Sequence, residues 1–136
     1  MLFFSVITVC LNEEYNIVQT LDSILNQSSN NFEIVIKDGG STDKTIDVIN
    51  SYREKFQKKD IRFIFDSGKD GGIYYGMNAA IELANSDYCI FMNGGDFFYN
   101  NNVIKDVTLQ LKSDIDVFYG VVVFLLACRL FGFDVE

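Results

Sequence analysis

The stretch "FFSVITVCLNEEYNIVQTLDSILNQ", residues 3–27, joins an apolar run to a segment of helical periodicity through a short polar loop. Its opening run is rich in β-branched and aromatic residues, which is typical of a buried strand. Its closing segment repeats apolar residues at i, i+4, i+7 and i+8, the spacing of one helix face. That face holds Ile17, Leu21, Ile24 and Leu25. The stretch therefore predicts a strand, a polar loop and an amphipathic helix.

The same alternation of strand and helix continues along the chain. Further apolar runs follow, namely "FEIVIK", "IRFIF", "DYCIFM" and "DVFYGVVVF". Helical spacing recurs between them, on a second face formed by Ile46, Ile49, Tyr52, Arg53 and Phe56 and a third formed by Ile73, Met77, Ile81 and Ala84. Nearly continuous apolar runs indicate a sheet that helices cover on both faces. We predict an α/β fold in the order β-α-β-α-β-α-β-α-β, with an open, mostly parallel sheet flanked by helices.

Length and charge limit the kinds of protein that this chain can be. Its 136 residues, of which 49% are hydrophobic, suffice for one compact domain with a core but not for two. We therefore predict a single domain over residues 1–136. The formal net charge of -8 argues against a nucleic-acid partner, since such partners are bound by clustered Lys and Arg.

Absent residue types and spacings exclude several chemistries. The chain has no His, which excludes Ser-His-Asp and Cys-His catalysis. Cys10, Cys89 and Cys128 lack the spacing of a metal site or a CxxC pair, and we interpret them as small buried hydrophobes in a reducing compartment. The start, "MLFFSVITVCLNEE", lacks the basic region and cleavage site of a signal peptide, so a cytoplasmic location is expected.

The final stretch, "VVVFLLACRLFGFDVE" at 121–136, is apolar but does not match a membrane span. Arg129 interrupts it, and a span needs about 20 apolar residues. We interpret it as a last buried strand that runs into a segment without a packing partner. When exposed, such a segment is an association surface, through which copies of the chain would form a homo-oligomer.

Polar residues and glycines follow each of the first four predicted strands. The loops are "LNEEYN", "KDGGSTD", "DSGKDGG" and "NGGD". Each has an ordinary structural interpretation: residues 12–14 cap the first helix, Ser41 or Asp43 caps the second, and the glycines form turns. The carboxyl ends of parallel strands meet at one edge, where the ligands of α/β folds bind. Four such loops at one edge indicate a ligand site rather than unrelated turns.

The usual phosphate-binding loops are missing from the sequence. No G-x-G-x-x-G follows the first strand, and "GGIYYGMN" lacks the Gly-Lys-Ser/Thr of a P-loop. A divalent cation between Asp96 and a diphosphate would cancel the repulsion between an anionic ligand and an acidic cleft. Hard oxygen ligands of this kind suit Mg²⁺ or Mn²⁺.

Three segments in order resemble the nucleotide-binding half of the family 2 glycosyltransferases, which have the Rossmann-like GT-A fold. They are "SVITVCLNEEYNIVQTLDSILNQ", "FEIVIKDGGSTDKTIDVI" and "DGGIYYGMNAAIELANSDYCIFMNGGD", so the resemblance runs from about Phe4 to Asp96. It implies an enzyme that transfers a sugar, with inversion, from a nucleotide-diphosphate sugar donor to an acceptor. Family members build polysaccharides and glycolipids, often at the inner face of the membrane, which implies peripheral membrane association.

The resemblance also assigns residues to the nucleoside end of the donor site. Thr8 and Glu14 fall on the loop that touches the nucleoside, where Glu14 would contact the ribose or the base. Asp38 matches the first aspartate of an Asp-Asp-Gly-Ser pattern that recognises a uracil-type edge. Gly39 stands in place of the second aspartate.

The rest of the implied donor site falls on two later segments. The segment 70–78, with Asp70 and Asn78, resembles the stretch that lies against the diphosphate and the sugar. "NGGD" aligns with an Asp-x-Asp-Asp signature in which Asn93 replaces a carboxylate and Asp96 is retained. Asp96 is thus the expected metal ligand, in a Mg²⁺ or Mn²⁺ shell completed by the diphosphate and water.

The catalytic base stays unassigned by the resemblance. In the family it is a carboxylate well downstream of the metal signature, in the part that also binds the acceptor. The late carboxylates of this chain form no Glu-Asp motif; they are Asp114, Asp116, Asp134 and Glu136. We therefore expect a chain truncated after the nucleotide-binding half, without the acceptor part, that is a weak catalyst alone.

Two other classes of protein fit part of the pattern. One is a nucleotide-binding or interaction module without catalysis. The other is a phospho-receiver domain, a five-stranded α/β unit with an acidic pair after the first strand, here Glu13 and Glu14. Its phosphorylated aspartate follows the third strand, as Asp66 does here. Against it, no lysine follows the last predicted strand, where a receiver needs one.

Overall fold

The computed structural model describes residues 4–111, 117–120 and 125–129. Along the chain the elements are β1 (Phe4–Cys10), α1 (Asn16–Leu25), β2 (Phe32–Asp38), α2 (Thr45–Lys58), β3 (Phe63–Ser67), α3 (Ile73–Leu83), β4 (Tyr88–Phe91), α4 (Val103–Gln110), β5 (Val117–Gly120) and β6 (Leu125–Arg129). The predicted alternation of strand and helix is confirmed as far as β5.

Hydrogen bonds join the described strands into one sheet in the order β3-β2-β1-β4-β6-β5. β1 to β4 are parallel, with Phe4 of β1 opposite both Phe32 of β2 and Tyr88 of β4. Every residue of β1 and β2 is buried, as expected for central strands whose two faces are covered by helices. The order differs from the 2-1-3-4-5 of receiver domains, so the receiver interpretation is wrong.

The last apolar run contains two described strands, where the sequence predicted one. β6 pairs with β4 in the antiparallel sense and β5 pairs with β6 in the same sense, with Gly120 opposite Leu125. β5 and β6 therefore run in opposite directions, although the sequence between them has no proline or cluster of turn residues that would predict this. Residues 121–124 and 130–136, and with them much of the predicted association surface, lie outside the described residues. No helix within the described ranges is long and apolar enough to span a membrane.

The central strands separate two hydrophobic cores. On one face, most residues of the helical stripes predicted for α1 and α2 are buried, with Leu21 and Phe56 at 0% exposure. The members of these stripes that are only partly buried are Leu25, Ile46 and Arg53. On the other face, Ala80 of α3 packs against Ile7 of β1 and Val35 of β2. Burial on both faces explains why these strands carry apolar residues without alternation.

The buried face of α3 differs from the predicted one. Ile73, the first residue of the predicted face, is 48% exposed, and the buried residues of the helix are Gly76 and Ala80. A Cβ at Gly76 would lie 2.9 Å from Val9 Cγ1, so only a residue without a side chain lets the helix approach the sheet this closely. The remaining residues of the predicted face are partly buried against the second core.

A buried carboxylate ties the amino ends of the strands together. Glu33 of β2 is 0% exposed and accepts hydrogen bonds from Ser5 Oγ at 2.5 Å and from Asn85 N–H at 2.6 Å. Its other oxygen accepts a hydrogen bond from Arg62 Nη1 at 2.8 Å. These donors come from β1, from the segment before β4 and from the segment before β3. Glu33 thus links β1, β2 and the entries to β3 and β4 at the edge opposite the polar loops.

The thiols in the core are buried, as the sequence predicts. Cys10 and Cys89 are 5% and 2% exposed. Burial, together with the nearby Asp38 carboxylate, raises the pKa of the Cys10 thiol well above its ordinary value, so this thiol stays protonated and unreactive. The side chain of Cys128 lies outside the described part of the chain.

Candidate functional site

The loops that follow β1, β2, β3 and β4 meet at the carboxyl edge of the sheet and form a cleft of about 290 Å³. Its polar lining residues are Glu13, Asp70 and Asn93, and its glycines are Gly39, Gly72 and Gly94. Val9, Cys10, Leu11 and Ile73 complete the lining. Each of the polar loops named from the sequence contributes to this lining, so their predicted gathering at one edge is confirmed.

Asn12 joins the loop after β1 to the loop after β2. Its Oδ1 accepts the N–H of Thr42 at 2.9 Å, and its own N–H donates to Ser41 Oγ at 2.8 Å. It has a φ of 51°, a left-handed conformation that Asn adopts more readily than most residues. Tyr15, the N-cap residue of α1, makes no side-chain capping hydrogen bond. Asn12 therefore binds the neighbouring loop and does not cap α1, contrary to its interpretation as a capping residue.

Asp38 orders the loop after β2 from a fully buried position. Its Oδ2 accepts the N–H groups of Gly40 at 3.0 Å and Ser41 at 2.8 Å, and the hydroxyl of Ser67 at 2.7 Å. Its Oδ1 accepts the hydroxyl of Ser41. These donors use most of the accepting capacity of the carboxylate. The contacts of Asp38 in the structure are thus internal, and its role in base recognition stays a prediction.

The hydrogen bonds of Asp38 also set its ionisation. Burial by itself would raise the pKa of this carboxyl, but the hydrogen bonds from Ser41, Ser67 and Gly40 outweigh burial, so the pKa is lowered from its ordinary value. The folded state therefore holds the ionised form more strongly than the unfolded chain does. This contribution to stability is present above the unfolded pKa and disappears as the pH falls through the folded pKa.

We expect the contribution of the Asp38 carboxylate to the free energy of unfolding to be lost at acidic pH. The free energy of unfolding of the Asp38→Asn variant should lie below that of the unmodified protein at neutral pH, and the difference should shrink between about pH 5 and pH 2. Urea unfolding at a series of pH values measures this difference. The comparison removes contributions common to both proteins, such as that of Asp43, whose pKa is also lowered, chiefly by the Thr45 hydroxyl. A difference that stays constant down to about pH 2 would contradict the prediction.

Asp70 reaches the cleft from the loop after β3 and lies beside two glycines. Its two carboxylate oxygens lie 3.5 Å from the point that a Cβ on Gly39 would occupy, and Oδ2 lies 3.1 Å from the corresponding point on Gly76. Oδ1 accepts the N–H of Gly72 at 3.0 Å. Oδ2 is buried and has no hydrogen-bond partner among the residues that the structure describes. The two glycines thus leave room for a carboxylate that is only partly satisfied.

Lys37 fixes the start of the same loop. Its ammonium group donates to the carbonyl oxygens of Asp38 at 3.2 Å and Gly68 at 3.1 Å, and pairs with the Asp66 carboxylate at 3.3 Å. Lys37 is 6% exposed, and these oxygens supply the partners that a buried cation needs. The loops after β2 and β3 are therefore fastened to each other.

The segment "NGGD", residues 93–96, forms a tight turn after β4. The N–H of Asp96 donates to the carbonyl of Asn93 at 2.9 Å, and the N–H of Asn93 donates to Asp96 Oδ2 at 3.1 Å. Gly95 has a φ of 100°, which residues with a side chain rarely adopt. At Gly94 a Cβ would lie 3.0 Å from Glu13 Cγ, so the turn packs closely against the loop after β1. Both glycines are needed for this geometry.

The structure brings part of the predicted site together. Asp70 and Asn93 line the cleft, and Asp38 holds the loop that carries Gly39. Thr8 is fully buried in β1, and its hydroxyl has no hydrogen-bond partner within the described part of the chain. The predicted residues that do not line the cleft are Thr8, Glu14, Asp38, Asn78 and Asp96. The donor-binding roles of all these residues stay predictions.

Glu13 lines the cleft, although the family resemblance assigned Glu14, and not Glu13, to the donor site. The neighbouring Glu14 does not line the cleft. The Oε2 of Glu13 accepts a hydrogen bond from Asn16 Nδ2 at 2.9 Å, and its N–H donates to Thr45 Oγ1 at 2.8 Å. A loop has no regular periodicity, so the sequence carries no signal that separates these two glutamates.

The oxygen atoms near the turn limit what kind of cation the cleft can hold. Asp96 is exposed, and one of its oxygens accepts the N–H of Asn93. Asn93 Oδ1 is buried without a hydrogen-bond partner among the described residues. Over the same ranges, no three Asp, Glu, Cys or His side chains come together as metal ligands. These residues fit a hard cation that takes most of its ligands from a bound diphosphate and water, but not one held by protein groups alone.

Comparison with known proteins shows that residues 5–126 match the family model "Glycosyl transferase family 2". A PGL/p-HBAD biosynthesis glycosyltransferase of Mycobacterium bovis (strain BCG / Pasteur 1173P2) is 32% identical over 122 residues, which cover 88% of this chain and 46% of that protein. A poly(ribitol-phosphate) beta-glucosyltransferase of Bacillus spizizenii is 26% identical over 118 residues, 85% of this chain and 18% of that protein. The chain thus spans about half the length, or less, of these curated relatives.

Solved structures share the fold. S. aureus TarS 1–349 in complex with UDP-GlcNAc matches with a TM-score of 0.71 at 28% identity, over 79% of this chain and 30% of that chain. The mannosyltransferase PcManGT from Pyrobaculum calidifontis, in complex with GDP-Man and Mn²⁺, matches with a TM-score of 0.81 at 17% identity, over 93% and 44% of the two chains. The predicted α/β fold of the GT-A kind is thereby confirmed.

Proposed function

Since this chain belongs to glycosyl transferase family 2, we propose that its cleft binds a nucleotide-diphosphate sugar, whose sugar is transferred to an acceptor in polysaccharide or glycolipid synthesis. The observation that carries the proposal is the cleft at the carboxyl edge, where Asp70 and Asn93 each have a buried oxygen without a hydrogen-bond partner among the described residues. The similarity to TarS, whose structure contains UDP-GlcNAc, supports a donor of the UDP-sugar type.

The strand order indicates how such a donor would lie. β1 separates β2 from β4, so a ligand that spans the cleft passes from Gly39 after β2 to Asn93 after β4. Neighbouring strands are about 4.8 Å apart, which makes this path about 10 Å long. A nucleoside at one end and a diphosphate at the other suit this length. We place the diphosphate at the turn 93–96 and the nucleoside towards Gly39.

The charge of the cleft favours a cation-dependent donor site. Its lining includes Glu13 and Asp70 but, among the described residues, no Lys or Arg. A diphosphate would be repelled there unless a cation accompanied it. Asp96 and the Oδ1 of Asn93 are the groups at the turn that would hold Mg²⁺ or Mn²⁺. A cation bound there would stabilise the charge that develops on the departing diphosphate.

Transfer of the sugar also needs a base that removes the proton of the acceptor hydroxyl. The late carboxylates considered for this role lie outside the described residues; they are Asp114, Asp116, Asp134 and Glu136. The geometry of the described residues therefore supports binding of the donor and gives no assignment of the base. The acceptor, the identity of the sugar and peripheral membrane association stay predictions.

Removal of the Asp96 carboxylate is expected to weaken nucleotide binding only when a cation is present. In isothermal titration calorimetry with UDP, Mn²⁺ should raise the affinity of the unmodified protein, because no lysine or arginine lines the described cleft. Asp96→Ala should lower the affinity measured with Mn²⁺ by roughly tenfold. The affinity without Mn²⁺ should change by less than about twofold.

The matched control for this experiment is Asp87→Ala. Asp87 is an exposed aspartate immediately before β4, at the opposite edge of the sheet from the cleft. Equal affinities of Asp96→Ala and the unmodified protein in Mn²⁺ would contradict the metal assignment. Failure of both UDP and GDP to bind, with or without Mn²⁺, would contradict the donor site itself. Binding of UDP without transfer from a UDP-sugar would favour a nucleotide-binding module without catalysis.

A further inference from the structure

We propose that the Asp70 carboxylate accepts a hydrogen bond from an uncharged N–H or O–H group of the donor's nucleoside and thereby determines specificity. The inference rests on the proposed function and refines it. It also departs from the expectation that the segment 70–78 lies against the diphosphate and the sugar. Three observations lead to it: the space around the carboxylate, the charge of the cleft and the order of the strands.

The space around Asp70 is kept open by glycines. Its oxygens lie 3.5 Å from the Cβ position of Gly39, and Oδ2 lies 3.1 Å from that of Gly76. Among the residues that the structure describes, only Oδ1 has a partner, which is the N–H of Gly72. A buried carboxylate oxygen without a partner is destabilising, and its retention calls for a physical reason. A donor group on a ligand supplies that reason, because the last side-chain torsion of Asp rotates easily and Asp70 already lines the cleft.

The negative charge of Asp70 determines which part of the donor can bind beside it. A carboxylate repels a diphosphate, and the repulsion is stronger in a partly desolvated cleft than in water. Lys37, the buried cation near this loop, is already paired with Asp66 and two carbonyl oxygens. An N–H or O–H group has no net charge and supplies the missing donor. The uncharged nucleoside therefore fits Asp70 better than the diphosphate does.

The strand order places Asp70 at the nucleoside end. β3, whose loop carries Asp70, is three strands away from β4, whose turn at 93–96 is the proposed diphosphate site. The Asp70 carboxylate extends from this loop towards β1, because Oδ2 lies 3.1 Å from the Cβ position of Gly76 and that position lies 2.9 Å from Val9 Cγ1. Gly39, on the loop where we place the nucleoside, lies directly against the Asp70 oxygens. Asp70 and the diphosphate turn therefore contact different parts of one donor.

The test measures the binding of uridine, UMP and UDP to the unmodified protein and to Asp70→Asn, with guanosine, GMP and GDP in parallel. Asparagine keeps the size of the side chain and one acceptor oxygen, but replaces the other oxygen with a donor. We expect the affinities for the nucleoside, the monophosphate and the diphosphate to fall by one common factor, on the order of tenfold to a hundredfold. Asp87→Asn is the matched control, and thermal unfolding checks that each variant is folded.

The possible outcomes are distinguishable. A rise in UDP affinity without a change for uridine would place Asp70 against the diphosphate and overturn the inference. Unchanged affinities for all ligands would also overturn it, while leaving the proposed function intact. If no nucleotide binds the unmodified protein, the proposed function fails and the inference fails with it.

A second variant covers the case in which Asp70→Asn does not fold. Gly76→Ala adds a Cβ that would lie 3.1 Å from Asp70 Oδ2 and 2.9 Å from Val9 Cγ1, so it presses on the carboxylate without removing it. The nucleoside and the diphosphate should again lose affinity by the same factor. A folded Gly76→Ala variant with unchanged nucleoside affinity would count against the inference.

Discussion

Glu33→Ala is expected to lower the free energy of unfolding by about 2–4 kcal/mol. The substitution leaves the Ser5 hydroxyl and the Asn85 N–H without their acceptor and opens a cavity among the amino ends of the strands. The Arg62 side chain is 57% exposed and can turn to water, and Ser5 Oγ also lies 2.5 Å from Ser86 Oγ. The cavity and the lost acceptor of the Asn85 N–H therefore account for most of the loss. The effect is large because one carboxylate serves three separate segments of the chain.

Urea unfolding followed by far-UV circular dichroism measures this effect, since the chain has no Trp for fluorescence. Glu54→Ala, on the exposed side of α2, is the control and should change stability by less than about 0.5 kcal/mol. Glu33→Gln keeps one acceptor oxygen and should fall between the two. A loss below about 1 kcal/mol for Glu33→Ala would show that the cluster does not hold the amino edge together.

Asp38→Ala is expected to lower the free energy of unfolding by about 3 kcal/mol and to abolish most nucleotide binding. The N–H groups of Gly40 and Ser41 and the hydroxyl of Ser67 would lose their common acceptor. The loop after β2 would then lose its fixed conformation. Since this loop contributes Gly39 to the cleft, the loss of order should reach the proposed donor site.

Stability and binding are measured on the same variant, by urea unfolding and by titration with UDP. Asp87→Ala again serves as the control, because Asp87 is exposed and remote from the cleft. Asp38→Asn retains one acceptor oxygen and should show smaller losses. An Asp38→Ala variant of normal stability would contradict the view that this carboxylate organises the loop. Normal stability with lost binding would instead favour direct contact between Asp38 and the ligand.

The central strands and the first two helices are predictable from sequence because their patterns report burial directly. Phe4–Cys10 and Phe32–Asp38 are buried at every position, and apolar residues occupy most of these positions. The buried polar residues between them include Glu33 and Lys37. The reversal near the end is not predictable in this way. The direction of a strand leaves no mark on its own apolar pattern, and 117–120 and 125–129 belong to one largely apolar stretch. The periodicity of α3 wrongly predicts Ile73 as buried and misses Gly76 and Ala80, because the helix packs most closely through small residues.

The place of the candidate site is predictable, but its individual contacts are not. Loops after parallel strands must share an edge, which locates the cleft without any knowledge of side chains. The contacts of Asn12 and Glu13 depend on loop conformations that no periodic pattern describes. Asp38 is a partial exception. An aspartate that bonds the N–H groups two and three residues later is a common turn motif, and "DGGS" is a sequence suited to it.

The ammonium group of Lys37 has a mechanical consequence for the cleft. Because the carbonyls of Asp38 and Gly68 share it, β2 and β3 cannot shear past each other at this edge without stripping a buried cation of its partners. Sliding of these two strands past each other is therefore resisted, and that side of the cleft is rigid. The turn after β4 is fastened in another way, because Gly95 N–H donates to Thr20 Oγ1 at 2.9 Å and Gly94 N–H donates to the carbonyl of Val9 at 3.2 Å.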